Sequence, residues 1–425
     1  MNYLKDFLPR RSDYLPFRAT LQSNLIAGIT VGIVALPLAL GFAITTGAGA
    51  SAGITTAILA GFVAALFGGS NYQVSGPTGA MTVVLVPVVA TYGVAALAPL
   101  GILAGAVIVV MGLLRLGGLI DRVPISVMEG FTLGIAMVIG LQQIPLALGV
   151  KKEPGTHTVL VAWDTAYKAI STSINWNSLV IVFGVLLVKY LWNRFNHHVK
   201  LPFHLPASIV AIVVATLLTT LAGIKVATIG SIPQGFHIPN NLFGAISRIP
   251  FIHLAYLVIV IALLGAIESL LSARVADGMA HVAIDHQRPK HHPNRELLGQ
   301  GLGTIVASIF GGIPATGAIA RTSVNVRSGA RTRFASMVHA LFLLLVVLAL
   351  SPLVSHVPTA ALAGVLLATS YRIANPTNIR EQLRSTWGTS LTFIVTAVAV
   401  LAIDLIWGLA IGLVVHAILK KLGKL

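Results

Sequence analysis

Long apolar runs recur from one end of this 425-residue chain to the other, and many are about as long as a bilayer-spanning helix. Such a helix needs roughly 20 residues to cross a hydrocarbon layer about 30 Å thick. Only 9% of the residues are charged, whereas a soluble domain carries about 25%. Lipid accepts only helices or closed barrels, and these runs are continuous rather than alternating. The sequence therefore predicts an all-α polytopic membrane protein.

Hydropathy predicts fourteen transmembrane segments, of which the third, ninth, tenth and twelfth are short or rich in glycine. The segments are 22–46, 50–69, 76–92, 97–117, 125–148, 177–195, 206–223, 253–275, 297–312, 316–329, 334–352, 358–371, 387–403 and 405–422. The predicted domains are a cytoplasmic N-terminal segment (1–21), a first repeat (22–223), an external connection (224–252) and a second repeat (253–425). The gap 151–177 is predicted to hold a short surface helix.

The net charge of +16 does not indicate nucleic-acid binding, because the basic residues lie in short gaps between the apolar runs. With the N-terminus inside, most of them fall in the cytoplasmic gaps, as the positive-inside rule requires. The N-terminal stretch also lacks the short apolar core of a signal peptide. We therefore predict a multi-pass protein of the cell membrane with both termini in the cytoplasm.

No cofactor, metal site or enzyme active site is predicted. The chain has no cysteine, which excludes disulfides and thiolate metal sites. Four histidines between His281 and His292 raise the question of a metal site, but proline and mixed charge in that stretch favour a solvated linker. The spans contain no nucleophile–base pair or metal cluster, which argues against an enzyme.

One motif occurs twice, in the same order and with similar spacing. Phe67-Gly68-Gly69 followed by Pro77-Thr78-Gly79-Ala80 returns as Phe310-Gly311-Gly312 followed by Pro314-Ala315-Thr316-Gly317-Ala318. A second motif, Val123-Pro124 with Gly130, returns as Val357-Pro358 with Gly364. Because each half holds an odd number of segments, the second half enters the membrane from the opposite side. The pattern predicts a seven-plus-seven inverted repeat, in which the interrupted segments three and ten mark a transporter's central site.

Segments three and ten are predicted to be half-helices whose N-termini meet near the membrane midplane. Pro77 and Pro314 suit helix starts, and Thr78 and Thr316 are expected to cap them. Two helix N-termini with free N–H groups and partial positive charge form an anion site, to which Arg321 adds a full charge. The alternative is that these glycines and threonines only permit close helix packing.

Glu268 lies inside an apolar run, with Ser272 one turn later on the same face. Ionisable groups within a span are functional by default, so we predict a coupling site for a proton or a cation. The alternative is a fixed ion pair between Glu268 and Arg321 or another basic group. Phe42 follows a proline kink in segment one and is a candidate apolar wall of the anion site, although plain core packing explains it equally well.

The chain resembles the SulP family of sulfate permeases over nearly its whole length. The most specific stretches are Asn294-Arg295-Glu296-Leu297, Phe310 to Thr322, Asn325 to Thr332, Ser75-Gly76-Pro77 and Val127 to Thr132. The resemblance implies a core domain (segments 1–4 and 8–11), a gate domain (segments 5–7 and 12–14) and a homodimer. It also implies an anion site at Phe42, Thr78, Gly79, Ala80, Thr316, Gly317, Ala318 and Arg321, with a coupling-ion site at Glu268 and Ser272. Family members usually continue into a cytoplasmic STAS domain, which we expect this chain, ending at Leu425, to lack.

The predicted function is alternating-access transport of a sulfate-like oxyanion or bicarbonate, coupled to protons. The expected partners are a small inorganic or carboxylate anion, H+ or Na+, membrane lipid and a second copy of the chain. The alternatives are a sodium-coupled bicarbonate or dicarboxylate carrier and an uncoupled anion channel. A nucleobase carrier would need a second acidic residue on segment ten, where this chain has Arg321.

Overall fold

The computed structural model describes residues 8–14, 17–118, 123–172, 174–195, 205–232, 235–283 and 290–424. Most of these residues are helical. The α-helices are α1 (Phe17–Thr46), α2 (Ala50–Phe67), α3 (Gly79–Tyr92), α4 (Leu97–Leu113), α5 (Ile125–Gln142), α6 (Ile144–Leu148), α7 (Thr158–Thr172), α8 (Trp176–Phe195), α9 (Ala207–Leu221), α10 (Phe251–Ala283), α11 (Pro293–Ile309), α12 (Ile319–Arg327), α13 (Phe334–Ser355), α14 (Thr359–Ala374), α15 (Pro376–Arg384), α16 (Trp387–Ala402) and α17 (Leu405–Lys421). Two short strands, β1 (Ser75–Gly76) and β2 (Thr316–Gly317), form an antiparallel pair.

Within the described ranges, seven helical stretches are long and apolar enough to cross a membrane. They are Phe17–Thr46, Ala50–Phe67, Val94–Leu113, Ile125–Leu148, Trp176–Phe195, Phe251–Ala280 and Phe334–Ser355. Three shorter apolar helices, α3, α9 and α16, coincide with further predicted segments. The chain is therefore a multi-pass membrane protein, while the count of fourteen spans stays a prediction. The surface helix predicted between 151 and 177 is confirmed as α7, and α15 was not predicted.

Small residues let the helices of the central bundle approach closely. Helix α11 packs between α2 and α4, and a Cβ added at Gly301 would lie only 2.6 Å from the carbonyl oxygen of Gly105. On the opposite side of α11, a Cβ at Gly303 would lie 3.0 Å from the carbonyl oxygen of Ala60. Since lipid is as apolar as the helices, such close van der Waals packing is what holds membrane helices together.

A buried carboxylate fixes the non-helical stretch that leads from α2 into β1. Glu296 is 1% exposed, and its Oε2 accepts hydrogen bonds from the amides of Gly69 and Ser70, each at 2.8 Å. Its Oε1 accepts from the side-chain amides of Gln73 at 2.7 Å and Gln300 at 2.9 Å. Four donors therefore converge on one carboxylate, and together they set the path of the chain toward β1.

Replacing Glu296 with alanine is expected to destabilise the protein by about 3 kcal/mol, because it leaves several buried donors without an acceptor. At roughly 2 °C per kcal/mol for a large chain, the melting temperature in detergent should fall by about 6 °C. Glu153→Ala is the control, since Glu153 forms a surface ion pair with Lys168 at 2.8 Å and such pairs contribute little. Equal melting temperatures for the two variants would contradict this role of Glu296.

Candidate functional site

The β1–β2 pair brings the two copies of the repeated motif side by side. Ser75 pairs with Gly317, and Gly76 pairs with Thr316. The hydroxyl of Thr316, in β2, lies 3.1 Å from the hydroxyl of Thr78, two residues after β1. Both threonines are buried, so the two motifs meet inside the protein rather than at its surface.

The first motif forms a capped helix start. Helix α3 begins at Gly79, and the hydroxyl oxygen of Thr78 accepts a hydrogen bond from the amide of Met81 at 3.4 Å. The capping predicted for Thr78 is therefore confirmed. In the described structure the amides of Gly79 and Ala80 remain without an acceptor, as is usual in a first helical turn. They are available to an anion.

The second motif is built differently. Helix α12 begins at Ile319, and its N-cap residue Ala318 makes no side-chain capping bond. The prediction that Thr316 caps this helix is wrong, because pairing with β1 keeps the chain extended through Thr316 and Gly317. The amide of Gly317 donates to the hydroxyl of Ser269 at 3.0 Å, and the amide of Ala318 donates to the carbonyl of Val74 at 3.0 Å.

The sequence placed Thr316, Gly317 and Ala318 at the anion site. The backbone amides of two of them, Gly317 and Ala318, already donate hydrogen bonds within the protein. The amides that the first turn of α12 leaves without a helical partner belong to the next residues, Ile319 to Arg321. The two helix starts are consequently unequal: the first offers the amides of Gly79 and Ala80, whereas the second offers amides further along its chain.

Glu268, on α10, touches both motifs at once. Its Oε2 accepts a hydrogen bond from the hydroxyl of Thr316 at 2.6 Å and from the hydroxyl of Thr78 at 2.8 Å. Within the described residues it forms no ion pair with Arg321, so the alternative of a fixed Glu268–Arg321 pair is not what the structure contains. The carboxylate instead bridges the two threonines directly.

Arg321 reaches from α12 across to the first motif. Its side chain is 1% exposed, and its Nη2 donates to the carbonyl oxygen of Pro77. Its Nη1 has no hydrogen-bond partner among the described residues, and a Cβ at Gly76 would collide with this atom. A buried guanidinium with an unused donor is costly, and an anion at the helix starts would satisfy it.

An apolar wall lies over the first helix start. A Cβ at Gly79 would stand 3.2 Å from Cε1 of Phe42 and 2.9 Å from Cγ1 of Ile139. Phe42 on α1 is therefore placed where the sequence predicted an apolar wall. Ile139 on α5 was not predicted, because nothing in the sequence distinguishes it from the other isoleucines of that helix.

Ser272 is hydrogen-bonded to Thr322 rather than to Glu268 in the described structure. Its hydroxyl lies 3.1 Å from the hydroxyl of Thr322, whose oxygen also accepts from the amide of Val74 at 3.0 Å. Ser272 thus links α10 to α12. The sequence did not predict that Ser269 and Thr322 bind the two motifs. Ser269 could have been singled out, because it is a polar residue beside Glu268 in an otherwise apolar run.

Gly76→Ala is expected to lower transport more than tenfold, because the new methyl group would push Arg321 away from the carbonyl of Pro77. Uptake into proteoliposomes, normalised to folded protein, measures the effect. Gly184→Ala is the matched control, since a Cβ at Gly184 on α8 meets no atom within 4 Å. Wild-type uptake by Gly76→Ala would argue against the placement of Arg321 at the substrate.

Comparisons with known proteins agree with this fold. The signature of the "Sulfate permease family" matches residues 21–399. The chain is 37% identical over 399 residues to the "Putative sulfate transporter YvdB" of Bacillus subtilis (strain 168), covering 92% of this chain and 72% of that protein. It is 32% identical over 355 residues to the "Bicarbonate transporter BicA" of Picosynechococcus sp. (strain ATCC 27264 / PCC 7002 / PR-6), covering 81% of this chain and 60% of that protein.

Solved structures show the same architecture. The transmembrane domain of a cyanobacterial bicarbonate transporter BicA superposes with a TM-score of 0.81 at 29% identity, covering 92% of this chain and 97% of that domain. The structure of SLC26A9 superposes with a TM-score of 0.84 at 16% identity, covering 96% of this chain and 67% of that one. The second likeness is one of fold alone.

Proposed function

This chain belongs to the sulfate permease family, a family of transporters rather than enzymes, and from that premise we propose that it carries a small oxyanion such as sulfate or bicarbonate by alternating access. The observation that carries the proposal is the unused Nη1 of the buried Arg321 beside two helix starts. A full positive charge, free amides and hydroxyl groups together suit an anion with several oxygens.

The proposed architecture is a seven-plus-seven inverted repeat, with a core domain that moves against a gate domain. Its supports are the pairing of the two motifs through β1 and β2 and the pattern of helix packing. Helix α11 packs on α2 and α4, whereas α5 packs on α14, α16 and α17. In this proposal both termini are cytoplasmic, the protein lies in the cell membrane, and two copies form a dimer.

Proton coupling is the form of transport that the position of Glu268 supports best. An ionised carboxylate bonded to Thr78 and Thr316 would repel an arriving anion, and protonation would remove that repulsion. The proton and the anion would then travel together. A sodium site is less well supported, because the hydroxyl of Ser272 donates its hydrogen bond to Thr322 and forms none with Glu268 in the described structure.

The test is uptake of labelled sulfate into proteoliposomes, with bicarbonate, chloride and a dicarboxylate as competitors. We expect saturable uptake that an inwardly directed proton gradient accelerates and a sodium gradient does not. Stimulation by sodium alone would favour the sodium-coupled alternative. Flux that neither saturates nor responds to either gradient would identify an uncoupled channel.

A further inference from the structure

A second cavity lies apart from the helix starts, between the helices of the proposed core and those of the proposed gate. It is small, with a cavity volume of about 20 Å³, and it is partly open to solvent. Thr45 at the end of α1 and Val86 on α3 line one side, and Gln142 at the end of α5 lines the other. Lys152, from the loop after α6, contributes the single charged side chain among its lining residues.

The amide of Gln142 has nothing to bind in the described structure. Both its Nε2 and its Oε1 are buried and lack a hydrogen-bond partner. Its neighbour Gln143 differs, since its Nε2 donates to the carbonyl of Ile139 at 3.2 Å and its Oε1 accepts from Thr45 at 3.4 Å. A buried amide with no partner is costly, so Gln142 is poised for a ligand inside the cavity.

Lys152 carries a charge that no acidic residue neutralises. It forms no ion pair within the described part of the chain, because the adjacent Glu153 is bound to Lys168 at 2.8 Å and does not line the cavity. Lys152 is exposed as a whole residue, and partial desolvation of its ammonium group lowers the pKa of Lys152 below the ordinary lysine value. An ammonium group, an unused amide and the hydroxyls of Thr156 and Thr158 form a donor set suited to an anion.

The cavity is close to the central site but separated from it. Val86 lies eight residues along α3 from Thr78, a rise of about 12 Å. On α5, Ile139 packs against Gly79, and Gln142 follows one turn later. The apolar side chains of Ile139 and Phe42, which contact the first helix start, are each about one helical turn from a residue that lines the cavity.

We propose that this cavity is a second anion-binding site, in which Gln142 and Lys152 hold a small inorganic oxyanion before it passes Ile139 and Phe42. The order of the two sites rests on the proposed transport function, whereas binding in the cavity does not. The ligand class is the same as at the central site, because the donors are again a positive charge and neutral N–H or O–H groups.

Transport kinetics test whether the anion occupies this cavity before it reaches the central site. In Lys152→Met and Gln142→Leu, we expect the KM for sulfate to rise at least about tenfold, the loss of one charge-assisted hydrogen bond, with an unchanged maximal rate. Lys152→Arg should restore most of the affinity. Lys151→Met is the matched control, since Lys151 is the adjacent lysine but does not line the cavity. Equal KM values in Lys151→Met and Lys152→Met would overturn the proposal.

Equilibrium binding separates this proposal from the transport function. Labelled sulfate is bound to purified protein carrying Arg321→Ala, which removes the charge of the central site. We expect residual, weaker binding that disappears when Lys152→Met is added, with the melting temperature confirming that both variants are folded. If Arg321→Ala binds no sulfate, or if the double variant binds as much as the single one, the cavity is not an anion site. A wild-type protein that carries no sulfate would refute the transport function but would leave this binding result standing.

Discussion

Arg321→Ala is expected to lower sulfate uptake at least about 30-fold while leaving the protein folded. The guanidinium supplies the only full positive charge that the described structure places at the helix starts, and losing a buried charged hydrogen-bond donor costs about 2–5 kcal/mol. The variant should remain stable, because it also removes a buried donor that lacks a partner in the described structure. Uptake into proteoliposomes and thermal melting in detergent measure the two effects separately.

Arg327→Ala is the control for this experiment. Arg327 lies on the same helix but is exposed, so its loss should change the overall charge without changing the site. Arg321→Lys should recover only part of the activity, because an ammonium lacks the planar fork that holds Pro77 and an anion oxygen at once. Uptake by Arg321→Ala with a wild-type KM would refute the proposed site.

Glu268→Gln is expected to separate anion movement from proton movement. Glutamine retains an oxygen that can accept from Thr78 and Thr316, but it stays neutral and therefore resembles a permanently protonated carboxyl group. Exchange of internal for external sulfate should continue within about threefold of wild type. Accumulation driven by a proton gradient should fall more than tenfold, since a group that cannot release a proton cannot complete a coupled cycle.

The sign of the pH dependence follows from the same argument. Uptake by the wild type should increase as the side from which the anion enters becomes more acidic, whereas exchange by Glu268→Gln should not change with pH. Glu129→Gln is the matched control, because Glu129 accepts a hydrogen bond from Asn378 at 3.1 Å and lies away from both motifs. Proton-driven accumulation by Glu268→Gln would show that coupling resides elsewhere.

The residues that the sequence identified best are those whose signal is local. Glu268 stands out as a charge among apolar residues, Arg321 follows the second motif by a few residues, and Thr78 precedes an apolar helix at the usual capping position. A span shows itself by a run of about 20 apolar residues, so the long helices were also predictable. Each of these features depends on neighbours within one or two helical turns.

The features that the sequence did not predict depend on residues far apart in the chain. Thr316 looks like Thr78 in sequence, but pairing with the first motif places it in a strand and moves the start of α12 to Ile319. Ile139 covers Gly79 only because α5 packs there. Gln142 lies beside Gln143, and only the packing of the helices decides which of the two finds a partner.

The pairing of β1 with β2 also bears on how the protein is made. Gly76 is synthesised 240 positions before its partner Thr316. At about 5–20 residues per second, roughly 10 to 50 seconds of translation separate the two. During that time the first strand has unpaired backbone groups that lipid cannot satisfy. We therefore expect the newly inserted first half to keep this stretch in water or against a helper protein, and the proposed anion site to be completed only when the second half enters the membrane.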